Sequence, residues 1–256
     1  MLNKFIQAKY EEINNLKKMK DQGIFPDSYK NKKPKLSKSL KHKKGIIAEY
    51  KIGSPSMGII NKNLDVCEVI MGYVENGAVG VSVITEKKYF YADLDLLNKL
   101  QHINVPILRK DFIIDPIQVK YTATTPASSI VLIVKLFKDK YDELLKLIDY
   151  SYLLGLEPVV EINDAYELEI ARKSGAKLFL INNRNLDTLE VDINTSKNLI
   201  EKKQDKEIWI SASGISSSKT VKEMLEIGYD GCLIGTYFMK HKDPAQLLGS
   251  FVKELD

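Results

Sequence analysis

The chain has 256 residues, of which 44% are hydrophobic and 28% are charged, and its net charge is +4. This length suits one large α/β domain, and so small a charge does not indicate nucleic-acid binding unless it is concentrated in a patch. The two cysteines, Cys67 and Cys232, are too few and too far apart to indicate a disulfide framework or a zinc site. We therefore expect a cytoplasmic protein that holds no metal.

The N-terminal segment is rich in lysine. Residues 1–20 follow a charged amphipathic helix pattern without the apolar core of a signal peptide, and no run in the chain approaches the ~18 apolar residues of a membrane span. The stretch KNKKPKLSKSLKHKK (30–44) has no acidic, arginine or aromatic residue, so we interpret it as a solvated connecting segment, with an anionic-partner site as the alternative. Neither nucleic acid nor a membrane is expected as a partner.

Eight short apolar runs follow, rich in Ile, Val and Leu, as is typical of strands buried on both faces. Helical spacing separates them, for example in 142–154 and 164–175, and several helices end at a glycine before the next run. This alternation predicts an α/β fold, a single (β/α)₈ TIM barrel over residues 45–256 with residues 1–44 as one or two extra helices covering an end, all in one domain (1–256). The runs are 45–51, 79–85, 106–112, 130–137, 158–163, 178–183, 208–213 and 232–236.

Polar side chains recur where these runs end, which is the end of a barrel where chemistry takes place. One polar residue there is usually the start of a loop, but carboxylates and amines alternating around the mouth favour an active site. Arg109 and Arg184 are two of the three arginines of the chain, and their planar groups could hold a carboxylate or brace another side chain. The strand-end residues are Glu49, Lys51, Arg109, Lys110, Asp111, Glu161, Asn182, Asn183 and Arg184.

The last two runs end in small residues. Ser213-Gly214 and Gly235-Thr236 lie where barrels often bind phosphate through backbone N–H groups, so the sequence predicts a phosphorylated substrate. The run 216–218 is three serines, for which capping of the next helix is the simpler interpretation.

Seven segments, taken in chain order, resemble one family. The chain is similar in them to indole-3-glycerol phosphate synthase, and the resemblance implies a barrel enzyme of tryptophan biosynthesis that needs no cofactor. Its substrate would be 1-(2-carboxyphenylamino)-1-deoxyribulose 5-phosphate, which closes to an indole with loss of carbon dioxide and water. The segments are IIAEYKIGSPSMGII, SVITEKKYF, PILRKDFIIDPIQV, LIVKLF, PVVEIND, INNRNLDTLEVD and SASGI…LIGTYFM.

The resemblance also implies roles by position. Lys110 matches the general acid and Glu161 the general base, while Glu49 would assist proton transfer and Lys51 would bind the anionic substrate and protonate the leaving hydroxyl. Asn182 and Arg184 match residues that hold the substrate and the geometry of the site. The remaining matches are Ser54 near the anthranilate carboxylate, Phe90, Phe112 and Val131 as walls of the aromatic pocket, and Ser213, Gly214, Gly235 and Thr236 as the phosphate grip.

The chain departs from the family pattern at four places. Ala212 stands where a glutamate is usual, so we expect a lower pKa for Lys110. Leu180 replaces a glycine, Tyr91-Ala92 replaces a pair such as Asn-Gly, and 125–127 replaces a Gly-Ala helix stop.

Two alternatives remain open at this point. One is a catalytically weakened barrel that only binds a phosphorylated ligand. The other is a phosphate-binding barrel enzyme such as a phosphoribosyl isomerase, which the set Glu49, Lys51, Lys110 and Glu161 disfavours because those isomerases use a Cys/Asp or Asp/Asp pair. We expect a monomer or weak homodimer, with other enzymes of the tryptophan pathway as candidate partners.

Overall fold

A computed structural model describes residues 2–138 and 140–255, and within them eight parallel strands close into a barrel. Each strand pairs with its neighbours in the chain, and the first strand pairs with the last, for example Ala48 with Ile234. The (β/α)₈ TIM-barrel prediction is confirmed. The strands are β1 (Gly45–Tyr50), β2 (Gly80–Ile84), β3 (Ile107–Lys110), β4 (Ser129–Ile133), β5 (Glu157–Ile162), β6 (Leu178–Asn182), β7 (Ile208–Ala212) and β8 (Gly231–Ile234).

The helices that connect the strands pack on the outside of the barrel, and their ends carry the expected signals. Asp115 forms a capping box with Gln118, and Ser217 accepts from the N–H of Thr220 at 3.1 Å, so capping is the role of one serine in the 216–218 run. The helices are α1 (Leu2–Asp21), α2 (Leu36–His42), α3 (Val66–Glu75), α4 (Asp95–Asn98), α5 (Pro116–Ala123), α6 (Tyr141–Leu153), α7 (Ala165–Lys173), α8 (Asn194–Leu199), α9 (Ser218–Glu226), α10 (Thr236–Met239) and α11 (Pro244–Lys253).

Strand four is shorter than its apolar run. The chain leaves β4 at Ile133 and makes a 3₁₀ turn over Val134–Leu136, where the N–H of Phe137 donates to the carbonyl of Val134 at 2.9 Å. The predicted strand 130–137 therefore includes one turn of a different structure, because apolar composition alone does not distinguish a strand from the turn that follows it.

The two N-terminal helices lie at opposite ends of the barrel. Leu36 and Leu40 of α2 are buried against Gly80 and Gly231, the first residues of β2 and β8, so α2 closes the N-terminal end. Phe5 of α1 reaches the C-terminal end, where it stacks on Phe112 with ring centroids 4.4 Å apart. The interpretation of 30–44 as a solvated connecting segment is therefore wrong for α2, whose two leucines are core residues.

The barrel interior is built from aliphatic side chains that alternate along each strand. Ile47, Leu108, Val159, Leu180 and Ile210 are fully buried there. No helix in the described part of the chain combines the length and apolar character that a membrane crossing requires.

Candidate active site

A cavity of about 420 Å³ opens at the C-terminal ends of the strands. Strand alternation explains which residues form its base. On four strands, an aliphatic side chain points into the barrel interior, and the side chain two residues later points the same way and is polar. On β7 the same position is apolar. These residues are Glu49 after Ile47, Lys110 after Leu108, Glu161 after Val159, Asn182 after Leu180, and Ala212 after Ile210.

The central pair is Lys110 and Glu161. Lys110 Nζ donates to Glu161 Oε2 at 3.1 Å, and the other oxygen, Oε1, accepts from Asn182 Nδ2 at 2.7 Å. Glu161 is 2% exposed, whereas the Lys110 side chain keeps 21% of its surface accessible from the cavity. The carboxylate is therefore held in one orientation, and the ammonium can reach a ligand.

Lys110 stays protonated in this setting. Burial acts to lower the pKa of Lys110, but the carboxylates of Glu161 and Glu49 outweigh it, so the pKa is raised above its ordinary value. Two carboxylates elsewhere in the site therefore supply negative charge to Lys110, and a pKa lower than a glutamate at position 212 would give stays a prediction.

A second ion pair lies across the cavity. Lys51 Nζ is 3.1 Å from Glu49 Oε1 and donates to Thr236 Oγ1 at 3.3 Å. Gly235 lies beside this pair, and a Cβ there would run into the Glu49 carboxylate, which explains the glycine. Ser54, in the hairpin formed by Gly53–Ser54 and Gly58–Ile59, lines the rim.

The turn after β7 is held by Asn182. Ser213 Oγ donates to Asn182 Oδ1 at 2.8 Å, and the backbone N–H of Arg184 donates to the same oxygen at 3.0 Å. Ser213 and Gly214 both have left-handed backbones, with φ of 72° and 77°. Asn182 thus links the carboxylate of Glu161 to the small-residue turn where the sequence predicts phosphate binding.

One wall of the cavity is aromatic. Phe90 and Phe112 line it as predicted, and Phe5 from α1 joins them. The sequence did not single out Phe5, because it lies more than a hundred positions from Phe112 in the chain.

Val131 does not line the cavity. It is fully buried in the barrel interior, and Ile133, two residues later on β4, is the one that lines the cavity.

Glu86 was also missed from the sequence. Its carboxylate accepts from the backbone N–H groups of Lys88, Tyr89 and Phe90 at 2.7–3.0 Å, and it lines the cavity. The sequence did contain a signal for this turn, because an acidic residue lies just after a strand and just before aromatic residues. Such an acid can accept from the backbone N–H groups that follow it and so position Phe90.

Arg109 and Arg184 act differently. Arg109 faces away from the cavity and is fully buried. Its Nη2 donates to Asp111 Oδ2 and to Glu12 Oε1, each at 2.9 Å. Arg184 lines the cavity, its Nη1 donates to the carbonyl of Leu189 at 2.7 Å, and burial lowers the pKa of its guanidinium. Only Arg184 of the two is placed to meet a ligand.

The remaining departures have local consequences. Tyr91 has a left-handed backbone with φ of 59°, a conformation that favours Asn or Gly, and its ring lies against Gly53 of the hairpin. Thr125 lies just after α5 and donates from Oγ1 to the carbonyl of Thr122 in its last turn at 2.9 Å. Leu180 adds bulk to the interior below Asn182, as expected.

A family model described as indole-3-glycerol phosphate synthase matches residues 2–251. The chain belongs to the indole-3-glycerol phosphate synthase family. The indole-3-glycerol phosphate synthase of Acetivibrio thermocellus is 40% identical over 80% of this chain and 79% of its own length. That of Thermoanaerobacter pseudethanolicus is 34% identical over 99% of this chain and 98% of its own length.

Solved structures show the fold alone at lower identity. The tryptophan synthase alpha chain from Legionella pneumophila superposes with a TM-score of 0.62 at 15% identity, covering 86% of this chain and 95% of that one. The 3-hexulose-6-phosphate synthase from Salmonella typhimurium gives 0.63 at 13% identity, covering 83% and 100%.

The family assignment fixes the class of chemistry. The chain is a carboxy-lyase of tryptophan biosynthesis and acts on a phosphorylated small molecule. The assignment decides against a phosphoribosyl isomerase, the nearer alternative from the sequence.

Proposed function

We propose that the chain converts 1-(2-carboxyphenylamino)-1-deoxyribulose 5-phosphate into indole-3-glycerol phosphate, with Lys110 as the first general acid and Glu161 as the general base. The observation that carries the proposal is the pairing of a protonated lysine with a fixed carboxylate, 3.1 Å apart, in a cavity that holds a second such pair.

Ring closure uses Lys110. As the aromatic carbon that bears the carboxylate attacks the ribulose carbonyl, Lys110 gives a proton to the carbonyl oxygen, which becomes a hydroxyl. Carbon dioxide then leaves from that ring carbon, and the electron pair of the broken bond restores the aromatic ring. A raised pKa supports this role because Lys110 carries its proton at neutral pH.

Dehydration uses the second pair. Lys51 protonates the new hydroxyl, which leaves as water, and Glu161 takes the proton from the neighbouring carbon as the double bond forms. Over both steps the substrate accepts two protons and gives up one. The net gain of one proton balances the negative charge that is lost with the carboxylate. Glu49, 3.1 Å from Lys51 Nζ, orients that ammonium and assists its proton transfer.

The other predicted residues bind and orient the substrate. Phe90 and Phe112 would enclose the anthranilate ring, with Ser54 and Arg184 near its carboxylate. The phosphate would lie at the opposite side of the mouth, against backbone N–H groups of the turns at Ser213-Gly214 and Gly235-Thr236. Asn182 would keep Glu161 aimed at the reacting carbons.

Turnover of the purified protein, followed by the fluorescence of indole-3-glycerol phosphate, tests the proposal. We expect Lys110→Met to lower kcat by about 10²–10⁴-fold, the usual contribution of a general acid. Lys135→Met is the matched control: Lys135 is also mostly buried, 16% exposed, but it pairs with Asp187 outside the cavity lining. A Lys110→Met protein with kcat within a few-fold of the unmodified chain contradicts the proposed acid.

Ala212 favours one second candidate, a barrel that binds the substrate and turns it over poorly. The apolar Ala212 leaves a gap in the polar base of the cavity, between Asn182 and Gly235. Tight substrate binding without turnover, together with turnover gained in Ala212→Glu but not in Ala212→Gln, supports this candidate over the first.

We infer a cytoplasmic chain that forms one domain over residues 1–256, acts as a monomer or weak homodimer, and passes its product to other enzymes of the pathway. The free thiols of Cys67 and Cys232 fit a reducing compartment, and the docking of α1 and α2 on the barrel fits a single domain.

A further inference from the structure

Asn183 follows the cavity residue Asn182 on β6 but points the opposite way. Strand alternation turns its side chain out of the barrel, into a polar cluster between β6, β7 and α8, where it is 1% exposed. The cluster also contains Ser196, Ser211 and Tyr229, whose hydroxyl donates to the carbonyl of Ser196 at 3.0 Å. None of these residues lines the cavity as far as the structure describes it.

The amide of Asn183 holds the turn after β7 from behind. Its Nδ2 donates to the carbonyl of Ser213 at 3.0 Å and to Ser211 Oγ at 3.2 Å, while its Oδ1 accepts from the N–H of Ser196 at 3.0 Å. The carbonyl of Ser213 can only accept and the N–H of Ser196 can only donate, so the amide has one possible orientation. The backbone N–H of Asn183 donates in addition to the carbonyl of Ala212 at 2.8 Å.

The turn needs such support. Ser213 and Gly214 are consecutive left-handed residues, and Ser213 carries a Cβ that disfavours this conformation. The two asparagines hold it from both sides, since Asn182 accepts from the Ser213 hydroxyl at 2.8 Å inside the barrel. Gly214 and Ile215 line the cavity, and among the described residues their backbone N–H groups have no hydrogen-bond acceptor.

We propose that Asn183 is a positioning residue that sets the anion-binding turn at Ser213-Gly214 for the phosphate of the substrate. The inference rests on the proposed function for its ligand, and it assigns a role to a strand-end residue that the catalytic steps do not use. Without the donor of Asn183 the Ser213 carbonyl is free to rotate, and the N–H groups that follow it lose their common direction.

Asn183→Asp is the test, because it keeps the size of the side chain and replaces the donor by an acceptor that faces the Ser213 carbonyl. We expect the KM for the substrate to rise about tenfold, the effect of one lost hydrogen bond, with kcat within about threefold. Inorganic phosphate, titrated by calorimetry, should bind correspondingly more weakly.

Ser196→Ala is the control. It removes a hydroxyl 2.7 Å from Ser211 Oγ in the same cluster but leaves the bond from Asn183 to Ser213, so it should lower the melting temperature without changing KM or phosphate affinity. If Asn183→Asp does not fold, Asn183→Ser, too short to reach the Ser213 carbonyl, takes its place.

Two results have distinct meanings. An Asn183 variant with unchanged KM and unchanged phosphate affinity overturns this inference and leaves the proposed function standing. An unmodified protein without turnover contradicts the proposed function, and the phosphate titration then still decides the role of Asn183, because it does not require turnover.

Discussion

Glu167, in the first turn of α7, is a buried acid close to the proposed base. Its carboxylate accepts from the backbone N–H of Asn163 at 2.7 Å, and the side chain of Asn163 donates to the carbonyl of Asn182 at 2.7 Å. Burial raises the pKa of Glu167 from 4.5 to about 7, with the nearby carboxylates of Asp164 and Glu161 adding to the effect and Lys135 opposing it. A charged Glu167 is therefore unfavourable in the folded state.

The consequence for stability has a definite sign. Between about pH 4.5 and 7 the folded state binds more protons at Glu167 than the unfolded state does, so the free energy of unfolding falls as the pH rises through this window. We expect Glu167→Gln, which still accepts from Asn163, to raise that free energy at pH 8 by up to roughly 3 kcal/mol and to leave it nearly unchanged at pH 4.

Urea denaturation of both proteins at the two pH values measures this difference. Glu169→Gln, on the exposed face of the same helix, is the control and should change the free energy of unfolding by less than about 0.5 kcal/mol at either pH. A Glu167→Gln effect that is equal at pH 8 and pH 4 contradicts the raised pKa.

At the scale of the element, α1 is attached to β3 by buried charges. Lys9 of α1 is 1% exposed, and its Nζ lies 2.7 Å from Asp111 Oδ1 and 2.5 Å from Glu12 Oε2. The guanidinium of Arg109 contacts the same two carboxylates. The ion pairs hold the pKa of Lys9 above its ordinary value and that of Asp111 well below its usual range, although burial opposes both shifts. Two cations therefore neutralise two anions next to Lys110.

Breaking this cluster should be costly. We expect Lys9→Met to lower the free energy of unfolding by about 3 kcal/mol, because it leaves an excess of buried negative charge. Lys17→Met, on the same helix, removes an ion pair with Asp115 whose lysine is 52% exposed, and should cost less than about 1 kcal/mol. Urea denaturation compares the two, and equal losses would mean that the buried cluster does not attach α1.

At the scale of the whole molecule, the extension and the barrel share one core, so we expect them to unfold together. Trp209, the one tryptophan of the chain, is fully buried on β7 and reports on the barrel, while far-UV circular dichroism reports on all helices. The two signals should give coincident transitions in urea. An earlier transition in circular dichroism alone would show that α1 and α2 unfold independently.

The barrel and its ring of polar residues could be predicted because both follow from periodicity along single strands. Glu49, Lys110, Glu161 and Asn182 end apolar runs, and strand alternation places them on the inner face. Arg109 ends the same run as Lys110, and its outward direction follows from the same rule once the inward residue is known.

Other features depend on contacts between distant segments or on the exact point where a strand ends. Phe5 joins the aromatic wall only because α1 packs across α5 and β3, which no local pattern reveals. Val131, which the resemblance implied as a wall of the pocket, lies one layer below the cavity. The apolar run continues into a 3₁₀ turn, so it does not show that β4 ends at Ile133, the residue that lines the cavity. The pKa of Lys110 depends on the summed charge around it, which a single substitution at position 212 does not determine.

The contact of α2 with β8 bears on how the protein is made. Leu36 and Leu40 leave the ribosome early, whereas Gly231, against which Leu40 packs, belongs to the last strand of the barrel to be translated. Until that strand emerges, the leucines have no closed base to cover, and the surrounding lysines keep the waiting segment hydrated. Closure of the base is therefore a late event in barrel synthesis, and a ribosome stalled before β8 would hold a nascent chain in which α2 lacks part of its docking surface.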